Sequence, residues 1–302
     1  MYSYQTIDPA AVSTAAFHQY LLGAVAPRPV AFASTVDHEG RINLSPFSFF
    51  NAMGSNPPLL VFSPNRSVRE NSQKHTLENV KEVGEVVINM VNYPMVEQMS
   101  LASCAYPRGI NEFTKAGFTE LASTLVRPPR VAESPAAFEC RVEQIIEMGS
   151  QGGAANLIIC RVLLAHFNTE ALDAAGKIDP TKMDLIARMG GDWYCRAHGD
   201  ALFEILKPNT QLGIGFDGIP LSIRNSPVLT GNNLGRLGNV PTLPSNEAVE
   251  AFSQRPEIQE MHQRYRNDPE GLQYHLHQLA QHYLEAGRVE EAWKVLLGHS
   301  TE

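Results

Sequence analysis

Short apolar runs separated by turn residues fill the first half of the chain, and this spacing predicts β-strands of a few residues each. Residues 30–35 (VAFAST) are apolar and lead into the turn sequence Asp37-His38-Glu39-Gly40. Residues 42–51 resume the pattern, residues 59–62 follow the double proline Pro57-Pro58, and residues 85–91 (EVVINMV) carry the β-branched side chains that suit a pleated surface. Between these runs, residues 68–83 are polar with helical spacing: Asn71 or Ser72 is placed to cap a helix with Leu77 and Val80 on one face. Residues 137–168 hold two longer runs, FECRVEQIIEM and NLIICRVLLAHF, joined by the hairpin-type connection Gly149-Ser150-Gln151-Gly152-Gly153. About six short strands with few helices predict a barrel or a sandwich. Strands and helices do not alternate as a parallel α/β sheet requires.

The pattern changes near residue 203. Residues 207–244 are rich in Gly, Asn and Pro with little periodicity and read as irregular. From Ser245 the chain turns helical. In LQYHLHQLAQHYLEAGRVEEAWKVLL the residues Leu272, Leu276, Leu279, Tyr283 and Leu284 share one side, and Gly287 ends that helix before a shorter one. This predicts a helical hairpin that superficially resembles one tetratricopeptide unit, although a single unit cannot bury its own face and no second copy is visible. The expected division is a mainly β domain over residues 1–205 and an irregular and helical extension over residues 206–302.

Composition narrows the function. The chain has 302 residues, of which 43% are hydrophobic, enough for a packed core, and a formal net charge of −8 argues against general nucleic-acid binding. MYSYQTIDPA is not a basic segment followed by an apolar one, so a signal peptide is not expected. No apolar run reaches the ~18 residues of a membrane span. Cys104, Cys140, Cys160 and Cys195 are far apart and form no CxxC pair, which fits small buried thiols in a reducing cytoplasm rather than a zinc or redox motif.

Several local motifs carry little chemistry. GIGFDG (residues 213–218) matches GxGxxG by letters, but Lys207-Pro208-Asn209-Thr210 precedes it and Pro220 follows, so the strand and helix that a dinucleotide fingerprint needs are missing and a glycine-rich surface loop is expected. His275, His277 and His282 lack the i+3 or i+4 spacing of metal ligands on a helix and read as a solvated face. GxSxG is absent, which leaves a serine hydrolase without direct support. One cluster remains, in the first 80 residues. Arg28-Pro29 precedes a strand ending in Ser34-Thr35, Ser45 and Ser48 lie on the next strand, and Lys74-His75-Thr76 opens or continues the predicted helix. Cations, hydroxyls and backbone N–H groups of this kind suit a phosphate, and the neighbouring Phe and Pro suit a planar heteroaromatic ring. The same residues could equally terminate strands and meet solvent. Within NLSPFSFFN, alternation would put Phe47 and Phe49 on one face and Ser48 and Phe50 on the other, with Pro46 stopping the ladder.

The ordered set APRPVAFASTVDHEGRINLSPFSFFNAMGSNPPLLVFSP, KHTLENV, EVVINMV, CRVLLAHF, KIDPTKMD and ARMGGDWY resembles the flavin reductase-like family, most closely its flavoredoxin branch, over about residues 15–205. The resemblance implies an FMN-binding split β-barrel acting as a homodimer, with FMN held non-covalently near the subunit interface. It places Ser45, Pro46, Phe47, Ser48 and the adjoining Phe49 along the isoalloxazine ring, and Ser34 and Thr35 beside it. Arg28 joins the set through the PRP segment. Lys74 and Thr76 match the family's KDT-type segment and would hold the ribityl phosphate, with His75 standing where the family has Asp. Arg188, Gly190, Gly191 and Tyr194 match an RLGG-type segment that closes the domain and approaches the flavin. The implied activity is reduction of flavin by NADH or NADPH, which asks no acid–base dyad of the protein. Alternatives are an FMN-holding electron carrier, a reductase component serving a monooxygenase or other acceptor protein, and a scaffold that has lost flavin. The extension beyond the family domain is expected either to wrap over the partner subunit or to dock an acceptor.

Overall fold

A computed structural model describes residues 2–207 and 211–299. The chain divides into two compact units, Met1–Phe203 and Glu204–Glu302. In the first, twelve strands follow helix α1 (Thr14–Ala24): β1 (Arg28–Pro29), β2 (Ala31–Val36), β3 (Ile42–Phe47), β4 (Phe50–Ser55), β5 (Pro58–Phe62), β6 (Glu85–Asn89), β7 (Glu120–Leu121), β8 (Arg130–Val131), β9 (Ala136–Glu147), β10 (Asn156–Phe167), β11 (Ile186–Arg188) and β12 (Tyr194–Arg196). Helix α2 (His75–Val83) enters between β5 and β6, α3 (Val96–Leu101) and α4 (Glu112–Ala116) follow β6, and α5 (Pro180–Met183) precedes β11.

Seven strands form one antiparallel sheet in the order β3-β2-β6-β9-β10-β5-β4. The sheet rolls up. Five strand steps separate β3 from β5, about 24 Å in a flat sheet at ~4.8 Å per step, yet the rings of Phe47 and Phe62 lie 5.7 Å apart. Inside the roll, Ala31 and Ala33 of β2, Phe47, Leu60, Phe62, Val86, Ile88, Cys140, Ile158 and Cys160 pack with Leu77 and Val80 of α2. A second core on the other side of β2 joins Phe32 and Leu44 to Met95, Met99, Phe113 and Phe118. The small residues of AFASTV thus let helix α2 approach one face of β2, while Phe32 fills the other.

The run read as one strand over residues 42–51 is two, because the chain bends at Ser48-Phe49 and reverses partners. Pro46 does not stop the ladder. It lies inside β3 opposite Phe32, and β3 is an edge strand. The N–H of Leu44, two residues earlier, points outward to Glu112, so the missing N–H of Pro46 falls on the same unpaired side. Phe47 and Phe49 do not share a face: Phe47 is core, whereas Phe49 is half-buried past the bend.

The predicted cap of α2 is also corrected. Asn71 adopts φ +54°, and its side chain accepts from Arg66 and donates to Ser150 O, so the helix begins later, with Lys74 at the N-cap.

The second unit has its own core around Trp293, Leu276, Leu284, Leu237 and Ile219. The segment expected to be irregular contains α6 (Leu221–Arg224) and α7 (Gly231–Gly238), ahead of α8 (Asn246–Ser253), α9 (Pro256–Arg264), α10 (Pro269–Glu285) and α11 (Val289–Leu297). A capping box between Thr230 and Asn233 starts α7, and Leu234 and Leu237 bury its apolar side despite three glycines. The GIGFDG loop lies against the end of α7: Ile214 N donates to Val240 O and Gly215 N to Gly238 O. Two of its backbone donors are therefore used internally. Pro208, Asn209 and Thr210, which precede the motif, lie outside the described residues. His277 is not solvated: it is 4% exposed and its Nδ1 sits 2.6 Å from Ser226 Oγ, while His275 stacks on Tyr265. Among the described residues no group of His, Cys, Asp and Glu could hold a metal ion, and no helix is long and apolar enough to cross a membrane.

Candidate functional site

The expected site residues fall into three groups. The first is the start of α2. Lys74 is exposed and has extended backbone at the N-cap, and no side chain caps the helix. Leu77 N donates to Lys74 O at 2.9 Å, which leaves the N–H groups of His75 and Thr76 without a capping acceptor among the described residues, at the positive end of the helix dipole and next to an ammonium group. This is the donor set an anionic phosphate needs. Thr76 contributes differently. It is 1% exposed, and its Oγ1 accepts from Asn43 Nδ2 at 2.9 Å. One turn later Asn79 Nδ2 donates to Thr35 Oγ1 at 3.1 Å. These two bonds join α2 to β3 and β2. On the outer edge of β3, Glu112 Oε2 accepts from Leu44 N at 2.9 Å. Burial raises the Glu112 carboxyl above its ordinary range, with the Leu44 bond and the charge of His75 pulling the other way.

The second group runs along β2 and β3. Cross-strand pairs Ala31–Phe47, Ala33–Ser45 and Thr35–Asn43 share one face, the face of α2 and the barrel core. Ser34 points to the opposite face from Thr35, so the two hydroxyls do not meet. Both are 0% exposed, and Ser34 Oγ has no hydrogen-bond partner among the described residues. Ser45, Pro46, Ser48 and Phe49 remain half-buried. Phe49 lines an open cleft of about 440 Å³ with Phe17, His18, Leu21, Ser63 and Leu157.

The third group belongs to a different sheet. Arg28, Arg188 and Tyr194 lie side by side across the separate sheet β1-β11-β12. Arg28 is buried, and its guanidinium donates to the carbonyls of Leu22 (2.6 Å), Val25 and Met189 (3.0 Å). Gly190 packs against Gly23 of α1 so closely that a Cβ would lie 3.0 Å from the Gly23 Cα, and Gly191 has φ +58°, so the glycine pair has a backbone role in closing this region.

Asn43, Asn79 and Glu112 were not singled out by sequence. Asn79 had one signal: it stands three residues after Thr76, on the same helical face. Nothing local marks Glu112, which acts across 68 residues of sequence.

A family model for the flavin reductase like domain matches residues 23–182, over half of the chain. An uncharacterized protein of Halalkalibacterium halodurans is 36% identical over 191 residues, covering 62% of this chain and 90% of the relative. Among solved structures, nitrilotriacetate monooxygenase component B from Bacillus cereus superposes with a TM-score of 0.62 at 28% identity, over 68% of this chain and 100% of that one. The 2-nitrobenzoate 2-nitroreductase NbaA of Pseudomonas fluorescens does so with a TM-score of 0.59 at 27% identity, over 67% and 96%. With a rolled antiparallel sheet, an uncapped helix start beside it and these relatives, the chain belongs to the flavin reductase-like family and its first unit has the split-barrel fold.

Proposed function

We propose that the first unit binds FMN and reduces it with NADH or NADPH, acting as a homodimer. The observation that carries this reading is the start of α2: an uncapped helix N-terminus with Lys74, held by Asn43–Thr76 against the strand that presents Ser45 and Phe47. Lys74 and the first-turn amides would hold the phosphate, and Ser45, Pro46 and Ser48 would meet the edge of the ring. Thr76 and Thr35 would act by fixing α2 rather than by touching the ligand, since each is buried with its oxygen already accepting a hydrogen bond. Bound FMN would supply a two-electron acceptor for a nicotinamide hydride. The chain's own task is to orient the ring and keep water from its reactive face.

Strand β4 supports the dimer. It is an edge strand, five of its six residues are exposed, and Met53 is 66% exposed. A bare edge of this kind invites pairing with a second chain. A service role is a second reading, in which reduced flavin or its electrons pass to an acceptor protein. It is favoured by the likeness to a monooxygenase component B.

The test is an FMN titration followed by visible spectroscopy, then anaerobic addition of each nicotinamide. Uptake of FMN and bleaching by one donor is the expected result. A colourless protein that takes up no added FMN would overturn the proposal. Uptake without bleaching by either donor would leave the electron carrier.

A further inference from the structure

Strands β11 and β12 form one side of an open cleft of about 590 Å³, with residues 93–103, including α3, on the other. Its shape follows from the strand register. Arg28 pairs with Arg188 and Arg188 with Tyr194, so these three form one row on one face. Ile186 pairs with Arg196 in the neighbouring row.

The charges in the two rows are unequal. The guanidinium of Arg196 is held by Asp184 through two bonds of 2.6 and 2.8 Å, and lies 3.9 Å from the centre of the Tyr93 ring. Arg188 lies 4.6 Å from the centre of the Tyr194 ring and has no carboxylate within ion-pair distance among the described residues. Its cross-strand neighbour is Arg28, whose bonded partners are carbonyls and whose buried Nε has none. Burial, and after it the charge of Arg188, lowers the pKa of Arg28. Like charges directly opposite on a sheet are destabilising. An anion on the Arg188 side would relieve that repulsion. The remaining lining suits a nucleoside: Tyr93, Val96 and Ile186 offer apolar surface, while Glu97, Asp192, Ser100 and Ser103 can bond ribose hydroxyls. The volume lies within the ordinary range for small-molecule sites, roughly 300–1,000 Å³.

We propose that this cleft is a nucleotide site separate from the flavin cradle, in which Arg188 binds the 5′-phosphate of a nucleoside monophosphate group. The adenylate half of the nicotinamide donor carries that group, and so does free AMP. The donor as source rests on the function proposed above; binding of AMP does not.

The test is calorimetric titration of the full chain with AMP, in wild type, Arg188→Gln and Ser100→Trp, each checked for native circular dichroism. Ser100 is exposed on α3 at the cleft, and an indole there fills it without changing a charge. Arg188→Gln removes a charge-assisted contact and should weaken AMP about tenfold or more. Ser100→Trp should do the same by exclusion, so the proposal can still fail if Arg188→Gln does not fold. FMN affinity should stay within about twofold in Ser100→Trp, whose side chain has no part in the flavin cradle. Wild type that binds no AMP at millimolar concentration, or variants that bind it as well as wild type, would overturn the proposal. Loss of FMN together with AMP in Arg188→Gln would return Arg188 to the flavin site and overturn it too. If AMP raises the KM for the nicotinamide, the site holds the donor's adenylate; if AMP binds without changing KM, the site takes the free nucleotide. Failure of wild type to take up FMN would count against the flavin reading alone.

Discussion

Glu139 is completely buried, and the structure permits its contribution to be worked through. It stands on β9. Its Oε1 accepts from Thr124 N at 2.7 Å and sits 2.7 Å from His166 Nε2, and its Oε2 accepts from Leu125 N at 2.6 Å. The carboxylate therefore ties residues 124–125 and β10 to the middle of the sheet. In Glu139→Gln the side chain keeps its shape, but its amide oxygen can replace only one of the two carboxylate oxygens. Either Leu125 N or the Thr124–His166 pair then faces an NH₂ group. Losing a charge-assisted bond costs about 1.5–3 kcal/mol, and an unpaired buried amide about 1–3 kcal/mol, so a loss of about 2.5–6 kcal/mol is expected. Against a domain stability of about 5–15 kcal/mol and a urea slope of about 2 kcal/mol/M, the midpoint should fall by roughly 1–3 M.

The cysteines provide an assay for this unit alone. All four lie before residue 204. Cys104 is exposed and Cys195 half-buried, while Cys140 and Cys160 are 0% exposed in the barrel core. Burial, with the charge of Glu139 adding to it, pushes the Cys140 thiol up to about 12. A thiol reagent in rising urea should thus register two late-reacting sulfurs when the barrel opens. The same experiment has a pH arm. Burial raises the Glu139 carboxyl, but the two backbone donors and His166 outweigh it, and the group is held below its ordinary range. A lowered folded pKa contributes stability that is present above the unfolded value of about 4.3 and is lost as pH falls through the folded one. The acid limb of the wild-type stability profile should therefore be steeper than that of Glu139→Gln. Equal midpoints, within about 0.5 kcal/mol, would refute this account of Glu139.

Two further outcomes are expected. Lys74→Ala should weaken FMN by about tenfold or more, the loss of one charge-assisted phosphate contact of about 1.5–3 kcal/mol; an unchanged titration would remove Lys74 from the phosphate site. Gly213→Ala would place a Cβ 2.4 Å from Gly238 O and 3.0 Å from Asn239 Cα, both backbone atoms. The resulting shift should cost the second unit about 1–3 kcal/mol, read from the fluorescence of Trp293, which is fully buried and bonds Leu237 O.

The strands were legible where a run carried its own punctuation. EVVINMV and the two long strands around Gly149–Gly153 needed only β-branched residues and glycine turns to be recognised. Residues 42–51 were harder, because an apolar run does not disclose a bend at Ser48-Phe49 that is set by the exchange of partner strands. GNNLGRLG was read as irregular from its glycines, and it is helical because Thr230 caps it and two leucines are buried. In the candidate site, Lys74 and Ser45 could be named from residue type and order. The burial of Thr35 and Thr76 could not: a hydroxyl in the sequence does not say whether it meets a ligand or an asparagine from a neighbouring element. Glu112 and the row Arg28–Arg188–Tyr194 exist only through long-range register.

The bonds Asn43–Thr76 and Thr35–Asn79 also act as a ruler. They grip α2 at two points one turn apart, so sliding the helix along its axis by a turn, about 5.4 Å, would break both. The distance from the helix start to Ser45, one side chain further along the same face of β3, is thereby constant. Any ligand that touches both ends has to match that length, with the site unable to stretch or shorten to suit it. Selection would then act on the span between the anionic group and the ring, so a cofactor analogue with a longer or shorter spacer should be rejected even when both of its ends are unchanged.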